Sequence, residues 1–153
     1  MVSQEAIFYV YSSTRSSRNG SPFHADICYS QDSALSDVSF MQFNSRYASL
    51  NPKLYHQQQP SPLRGAKAGH FNEALADELQ WNKEDKANWV EICSGQKTFA
   101  EFPPLAMVYA GHQFGQWAGQ LGDGRGLLIG QILNQQGQTI DLHLKGAGST
   151  PYS

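Results

Sequence analysis

The sequence has few charged residues, and neither sign of charge dominates. Charged residues make up 16% of the 153 residues, and the formal net charge is -2 at pH 7. Without a basic excess, no overall field draws the protein to nucleic acid or to an anionic membrane, so neither is expected as a partner. Any contact with phosphate must therefore come from a local cluster of residues.

Cysteines and long apolar runs are also scarce. Cys28 and Cys93 lie far apart and lack partners at metal-binding spacing, which predicts reduced thiols in a reducing compartment. The 5 histidines show no H-x-x-x-H pairing, which argues against a zinc site. No apolar run approaches the roughly 18 residues of a membrane span. The N-terminus lacks the pattern of a secretory signal, so the expected location is cytoplasmic.

Composition divides the chain into three segments. Residues 1–39 contain a strand-like stretch, Ala6–Tyr11, and a polar stretch, Ser12–Ser21, and are predicted to form a variable, partly mobile tail. Residues 40–104 combine an extended segment, stopped by prolines, with two packing helices. Residues 105–153 carry the candidate site.

Two helices are predicted in the middle segment. Apolar residues recur at helical spacing from Phe71 through Ala74 to Leu79, which places one stripe of the first helix against a core. Asn82 is the expected N-cap of a second helix, and Gly95 is its expected end. Neither helix carries a pattern that indicates chemistry.

The last segment combines apolar stretches with glycine-rich turns. Three stretches are predicted strands: Leu105–Ala110, Leu127–Leu133 and Thr139–Lys145. Gly111–Gln120 is too rich in glycine for a helix and is interpreted as a structured loop. Asn134–Gln138 is typical of a turn, so the last two strands are expected to form a hairpin with Lys145 on its polar face.

The densest glycine run is Gly122–Gly126, which also holds Asp123 and Arg125. A backbone so rich in glycine can adopt positive φ and approach a ligand with no Cβ in the way. By itself such a run is more typical of a tight hairpin than of a nucleotide loop. It is not a strict G-x-G-x-x-G motif, because Leu127 stands where the third glycine would be. Asp123 is expected to shape the loop by bonding to nearby amides rather than to bind a metal.

Lys145 supplies a second cation, although it is not framed as a Walker A lysine. Lys145 and Arg125 could each be an ordinary solvated cation. However, a glycine loop, a strand and then a strand with a lysine is the order in which protein kinases clamp the phosphates of ATP. The combination indicates a polyphosphate site made of backbone amides and these two side chains. His112 is interpreted as structural rather than as a catalytic base, because no carboxylate or thiol lies at a telling spacing.

Three motifs follow one another in the last third of the chain: Met107–Gly115, Gln120–Arg125, and Leu144–Gly148 with Thr150–Ser153. Together they resemble the selenoprotein O (SelO) family, whose members are kinase-like proteins that transfer AMP from ATP to protein hydroxyls. Ser149 departs from the family, which usually has proline at that point of the last motif. A weaker likeness extends upstream to Phe40, and the residues before it remain unexplained.

The resemblance implies a fold and roles for individual residues. The expected fold is α+β, with part of a kinase-like small lobe and an N-terminal helical extension. Gly122, Gly124 and Arg125 would contact the ATP phosphates, and Lys145 would be the nucleotide-binding lysine. The nucleotide would be flipped relative to ordinary kinases, so that the α-phosphate is attacked. The family's catalytic and magnesium-binding residues would lie beyond Ser153, so no catalytic or metal residue is assigned here.

On this basis the chain is expected to be the N-terminal portion of an ATP- and magnesium-dependent protein adenylyltransferase, inactive by itself. Its partners would be ATP and proteins with Ser, Thr or Tyr hydroxyls, in the cytoplasm or, in a eukaryote, in mitochondria. One alternative is a non-catalytic module that binds nucleotide or a partner protein through the same loop. Another is a truncated product that does not fold stably, because its strands lack the rest of their sheet.

Overall fold

The structure is a computed structural model that describes residues 8–12 and 41–153. Within that part of the chain the fold is α+β, as predicted, with an antiparallel sheet and short helices between its third and fourth strands. The strands are β1 Phe8–Ser12, β2 Gln42–Phe43, β3 Tyr55–Gln57, β4 Leu105–Gln113, β5 Gln116–Gly122, β6 Gly126–Leu133 and β7 Thr139–Lys145. The helices are α1 Glu73–Glu78, α2 Lys83–Ala87 and α3 Trp89–Cys93, and a 3-10 turn spans Pro52–Leu54.

Strand β6 lies at the centre of the sheet, whose order is β1-β7-β6-β4-β3. Its residues are buried from Gly126 to Ile132 because the strand is covered on both faces. On one face Leu127 and Ile132 join the core that includes helix residues. On the other face Leu128 packs in a smaller core with Leu105. The apolar run of β6 therefore reflects burial on both sides.

The strand predictions around the core are confirmed. In β7, Ile140, Leu142 and Leu144 are buried while the residues between them are partly exposed, as the alternation predicted. The predicted N-terminal strand is confirmed for Phe8–Tyr11, which belongs to β1 and pairs with β7. Ser12, the first residue of the predicted polar stretch, also belongs to β1, and the remainder of the predicted tail lies outside the described residues.

Helix α1 is shorter than the apolar pattern predicted. It begins after Asn72, whose side chain accepts a hydrogen bond from the Leu75 N–H at 3.0 Å, and Leu79 caps its C-terminus. The expectation that Ala74 lies on the buried stripe was wrong, because Ala74 is exposed and Ala76 is buried in its place. A helix of under two turns buries only the residues next to its C-terminal contact with the core.

The second predicted helix is two helices. Asn82 caps α2 as expected, with its side-chain oxygen accepting from the Asp85 N–H at 2.8 Å. Asn88 then leaves helical geometry at φ -98 and ψ 14, which separates α2 from α3. Asparagine favours such breaks because its short polar side chain competes with helical hydrogen bonding. The expected end at Gly95 is confirmed by its φ of +72.

The interpretation of Gly111–Gln120 as a loop was wrong. Strand β4 continues to Gln113 and β5 begins at Gln116, so a β-hairpin occupies this stretch. The residues between them, Phe114 and Gly115, both have positive φ, at 51 and 78, which suits a two-residue hairpin turn. Among residues 8–12 and 41–153, no helix has the length and apolar character needed to cross a membrane.

Candidate functional site

The glycine run Gly122–Gly126 joins two strands that run in the same direction. Both β5 and β6 pair antiparallel with β4, with Gly122 opposite Val108 and Leu128 opposite Leu105. Gly122 and Leu128 are six residues apart, whereas their partners on β4, Val108 and Leu105, are three residues apart. Three residues between Gly122 and Leu128 are therefore extra and leave the line of the strand. The run is therefore a bulge that projects from the sheet, rather than a tight hairpin. We call residues 123–125 the glycine bulge.

Asp123 ties the glycine bulge to β4. Its N–H donates to the Met107 carbonyl at 3.1 Å, and its carboxylate Oδ2 accepts from the Met107 N–H at 2.9 Å. The Gly126 N–H donates to the Asp123 carbonyl at 3.0 Å, which closes a turn around Gly124 at φ +60. The carboxylate thus bonds to a nearby backbone amide, which is how aspartate commonly shapes loops.

The segment after β7 packs against the carbonyl groups of the glycine bulge. Thr150 Oγ1 and Ser153 Oγ both donate to the Gly124 carbonyl, the serine at 3.0 Å. The Ala147 N–H donates to the Arg125 carbonyl at 2.9 Å. All three carbonyls of the bulge therefore accept hydrogen bonds from the protein itself. This role was not predicted from the sequence, where its signal is two hydroxyl residues spaced i and i+3 after a glycine turn.

Two N–H groups of the bulge are left available. The Asp123 N–H donates to the Met107 carbonyl and the Gly126 N–H closes the turn, whereas the N–H groups of Gly124 and Arg125 make no hydrogen bond within the described part of the chain. The C=O and N–H of a trans peptide point in opposite directions. The Arg125 N–H therefore points away from the segment that holds the Gly124 carbonyl. Successive free N–H groups of this kind form concavities that bind anions.

Lys145 lies directly beside the bulge. It pairs with Gly126 across β6 and β7, and a Cβ built on Gly126 would lie 3.5 Å from Lys145 Nζ. Lys145 and Arg125 are exposed, and neither takes part in an ion pair among residues 41–153. The structure thus brings together the predicted nucleotide-binding residues Gly122, Gly124, Arg125 and Lys145.

A half-buried polar cluster extends from the bulge along β7. Asp141 Oδ1 accepts a hydrogen bond from Gln131 Nε2 at 2.8 Å. Burial raises the pKa of Asp123, and the hydrogen bond from Met107 partly offsets this effect. Burial also lowers the pKa of His143, although the nearby carboxylates act in the opposite direction. In β7, His143 is one of the partly exposed residues that alternate with the buried ones.

Acidification is expected to destabilise the protein through His143. The pKa of His143 in the folded protein lies below its usual 6.5, so the unfolded chain takes up the proton first as the pH falls. The contribution of neutral His143 to stability is complete above pH 6.5, and it is lost as the pH falls from 6.5 through the pKa of His143 in the folded protein. Urea unfolding at pH 7.5 and 5.5 should show a smaller loss of unfolding free energy in His143→Gln than in the wild type. His70→Gln, at an exposed position, is the matched control and should behave like the wild type. Equal losses in all three proteins would contradict the prediction.

The remaining candidates form no second site. Within residues 8–12 and 41–153, no three His, Cys, Asp or Glu side chains gather as a metal centre. His112 is exposed, and its ring lies edge-on to Trp117 with the ring centroids 5.2 Å apart. Cys93 is a free, buried thiol, as predicted, and burial raises its pKa to about 12. Cys28 lies outside the described residues. A cavity of about 290 Å³ lies beside α2 and α3, and no residue of the glycine bulge lines it.

Comparison with known proteins identifies the family. Residues 37–153 match the sequence model of the family described as "Protein adenylyltransferase SelO". The chain belongs to the SelO family. The resemblance noted from the three motifs is therefore confirmed, and the matched region contains the whole of the glycine bulge and Lys145.

SelO relatives in bacteria share close to half of their residues with the chain. A protein named protein nucleotidyltransferase YdiU from Pectobacterium carotovorum subsp. carotovorum (strain PC1) is 47% identical over 116 residues, covering 72% of this chain and 23% of its own length. The protein of the same name from Vibrio vulnificus (strain YJ016) is 47% identical over 116 residues, covering 75% of this chain and 24% of its own length. That from Salmonella paratyphi B (strain ATCC BAA-1250 / SPB7) is 44% identical over 115 residues, covering 74% and 24%. The chain thus spans about a quarter of the length of these SelO relatives.

Proposed function

We propose that the chain forms the phosphate-binding part of an ATP-dependent protein nucleotidyltransferase, which transfers AMP to Ser, Thr or Tyr hydroxyls of proteins. Membership of the SelO family and the names of its relatives support this proposal. The observation that carries it is the position of Lys145 Nζ beside a bulge with two N–H groups that have no hydrogen-bond partner among the described residues. The order of glycine bulge, β6 and then β7 with Lys145 is also the basis for proposing a kinase-like small lobe.

ATP is the ligand whose chemistry fits these groups. The N–H groups of Gly124 and Arg125 would donate to phosphate oxygens, as in other anion-binding concavities. The Arg125 guanidinium and the Lys145 ammonium would add charge-assisted hydrogen bonds. Because neither cation has an acidic partner among the described residues, both charges remain available to a ligand.

In the proposed reaction, a substrate hydroxyl oxygen bonds to the α-phosphorus of ATP. The bond from that phosphorus to the oxygen bridging the β-phosphate breaks, and pyrophosphate leaves. Negative charge then builds up on the α-phosphoryl oxygens and on pyrophosphate, where Arg125 and Lys145 would stabilise it. The hydroxyl proton would pass to a base supplied from beyond Ser153.

Magnesium is the metal proposed for this reaction, and by the resemblance to the SelO family its ligands are proposed to lie beyond Ser153. Within residues 8–12 and 41–153, no three His, Cys, Asp or Glu side chains form a cluster that could hold a metal ion. The carboxylate within the glycine bulge, that of Asp123, accepts a hydrogen bond from the Met107 N–H through Oδ2. The residues that would hold the metal are thus proposed to lie in another part of the protein. The proposed cellular location is the cytoplasm, or mitochondria in a eukaryote.

Isotope position in ATP distinguishes the proposed reaction from ordinary phosphorylation. The full-length gene product should be incubated with a mixture of cell proteins and with ATP labelled at either the α- or the γ-phosphate. The proposal predicts that protein retains label from the α-position and none from the γ-position. Retention of γ-label would identify a kinase and overturn the proposal. Binding of ATP without transfer of either label would favour a non-catalytic nucleotide-binding module.

A further inference from the structure

We infer that Thr150, acting with Ser153, is a positioning residue that holds the glycine bulge with its N–H groups toward the phosphates. This inference rests on the proposed function and extends it to residues that do not themselves face the ligand. Its basis is that both hydroxyls donate to the Gly124 carbonyl, on the side of the peptide opposite to the Arg125 N–H.

Each hydroxyl is held from behind by a backbone donor. Ser153 Oγ accepts from the Thr150 N–H at 2.7 Å, and Thr150 Oγ1 accepts from the Tyr152 N–H at 3.2 Å. The Gly124 carbonyl is the nearest acceptor for each hydroxyl proton, because the two hydroxyl oxygens are 3.4 Å apart, farther than either lies from that carbonyl. The Ser153 N–H also donates to the Thr150 carbonyl at 3.2 Å, which closes residues 150–153 into a turn. The hydroxyls are thus fixed donors rather than free rotors.

The Gly124–Arg125 peptide is the group that needs this support. Gly124 has a φ of +60, and a Cβ built on it would contact nothing within 4 Å, so neither packing nor a side chain restrains it. Glycine populates both signs of φ readily, so the peptide could otherwise rotate and reverse its C=O and N–H. A reversed peptide would present a carbonyl oxygen to the phosphates in place of a donor. Two hydrogen bonds to that carbonyl oppose the reversal.

Burial separates the contributions of the two hydroxyl residues. Thr150 is 9% exposed, so its hydroxyl makes its bond largely away from competing water, whereas Ser153 is exposed. Buried hydrogen bonds are the costlier ones to break, because the partner left behind is poorly solvated. Thr150 is therefore expected to contribute more to positioning than Ser153.

The test compares phosphate affinity with nucleoside affinity in the full-length gene product. Thr150→Val removes the hydroxyl and keeps the branched shape, while Thr150→Ser keeps the hydroxyl. Calorimetric titration with inorganic tripolyphosphate should show a Kd that rises roughly five- to tenfold for Thr150→Val. The Kd should change less than about twofold for Thr150→Ser, because serine retains the hydroxyl and therefore the hydrogen bond to the Gly124 carbonyl. Adenosine, which has no phosphate, should bind equally well to all variants.

A matched control and a second variant keep the test decisive. Thr139→Val makes the same change at the start of β7, distant in sequence from the bulge, and should leave tripolyphosphate affinity unchanged. If Thr150→Val does not fold, Ser153→Ala replaces it as the test. Because Ser153 is exposed, its hydrogen bond contributes less free energy than a buried one, and the affinity for tripolyphosphate should fall roughly two- to threefold.

Each contrary outcome has a separate meaning. Unchanged tripolyphosphate affinity in a folded Thr150→Val, or in Ser153→Ala where the former does not fold, would overturn the inference and leave the proposed function standing. Equal losses for tripolyphosphate and adenosine would show a general structural defect and would also overturn it. A wild-type protein that binds neither tripolyphosphate nor ATP would overturn the proposed function, and the inference with it.

Discussion

Replacing Lys145 with alanine is expected to lower kcat/KM for AMP transfer by about a hundredfold, the range found when one donor to transition-state charge is removed. Lys145 Nζ lies 3.5 Å from the Cβ position of Gly126, at the edge of the glycine bulge. Its loss would leave the proposed phosphate site, as far as the described residues form it, with the Arg125 guanidinium but without this ammonium. Steady-state kinetics of the full-length gene product with labelled ATP measures the effect.

Stability and a second lysine provide the controls for this result. Lys145 is exposed, so the free energy of unfolding should change by less than about 0.5 kcal/mol. Lys97→Ala removes a partly exposed lysine whose Nζ lies 3.0 Å from Glu84 on α2, and its activity should match the wild type. Wild-type activity in Lys145→Ala would mean that Lys145 is an ordinary surface cation, and the phosphate site would have to be sought elsewhere.

The strands that the sequence predicted well are those whose burial is set by one simple pattern. Ile140, Leu142 and Leu144 alternate with polar residues, and β7 buries one face as that pattern requires. Strand β6 is a short apolar run bounded by turn residues, and it is buried on both faces. In both cases the local sequence carries the whole signal, because side-chain direction in a strand alternates from residue to residue.

The β4–β5 hairpin was not predicted because its residues do not alternate between buried and exposed along the strands. Its outer half is mostly exposed, and Phe114 and Trp117 are among the most exposed large apolar residues described, at 103% and 65%. Glycines at positions 111 and 119 lie within paired strands rather than in the turn. Glycine content was therefore a poor guide, and the pairing with β4 is what defines the structure.

The glycine bulge shows which part of the site a sequence can predict. Arg125 and Lys145 were predicted from residue type and order, and the structure places both at the bulge. The bulge itself depends on Asp123 bonding to Met107, 16 residues earlier in the chain. The restraint on Gly124 comes from Thr150, 26 residues later. No local pattern shows which distant residues such contacts join, so these partners could not be identified before the fold was known.

Replacing Gly122 with alanine is expected to lower the free energy of unfolding by about 2–3 kcal/mol and to weaken ATP binding at the same time. Gly122 ends β5 in an ordinary strand conformation, so backbone strain is not the reason for glycine here. A Cβ at this position would lie 2.5 Å from Tyr152 Cβ and 3.0 Å from the Met107 carbonyl oxygen. A rotamer change relieves neither contact, because one involves a Cβ and the other a backbone oxygen. The strand, or the segment around Tyr152 that restrains the bulge, would have to move.

Gly124→Ala is the matched control, because it tests conformation without packing. A Cβ there would meet nothing within 4 Å, but φ is +60, so the expected cost is about 1 kcal/mol of backbone strain. Combining each change with Tyr152→Gly in a double-mutant cycle, measured by urea unfolding, separates the two causes. Removing the Tyr152 side chain should recover part of the cost of Gly122→Ala and none of the cost of Gly124→Ala. If Tyr152→Gly recovered nothing in either background, close packing against Tyr152 would not be what requires glycine at position 122.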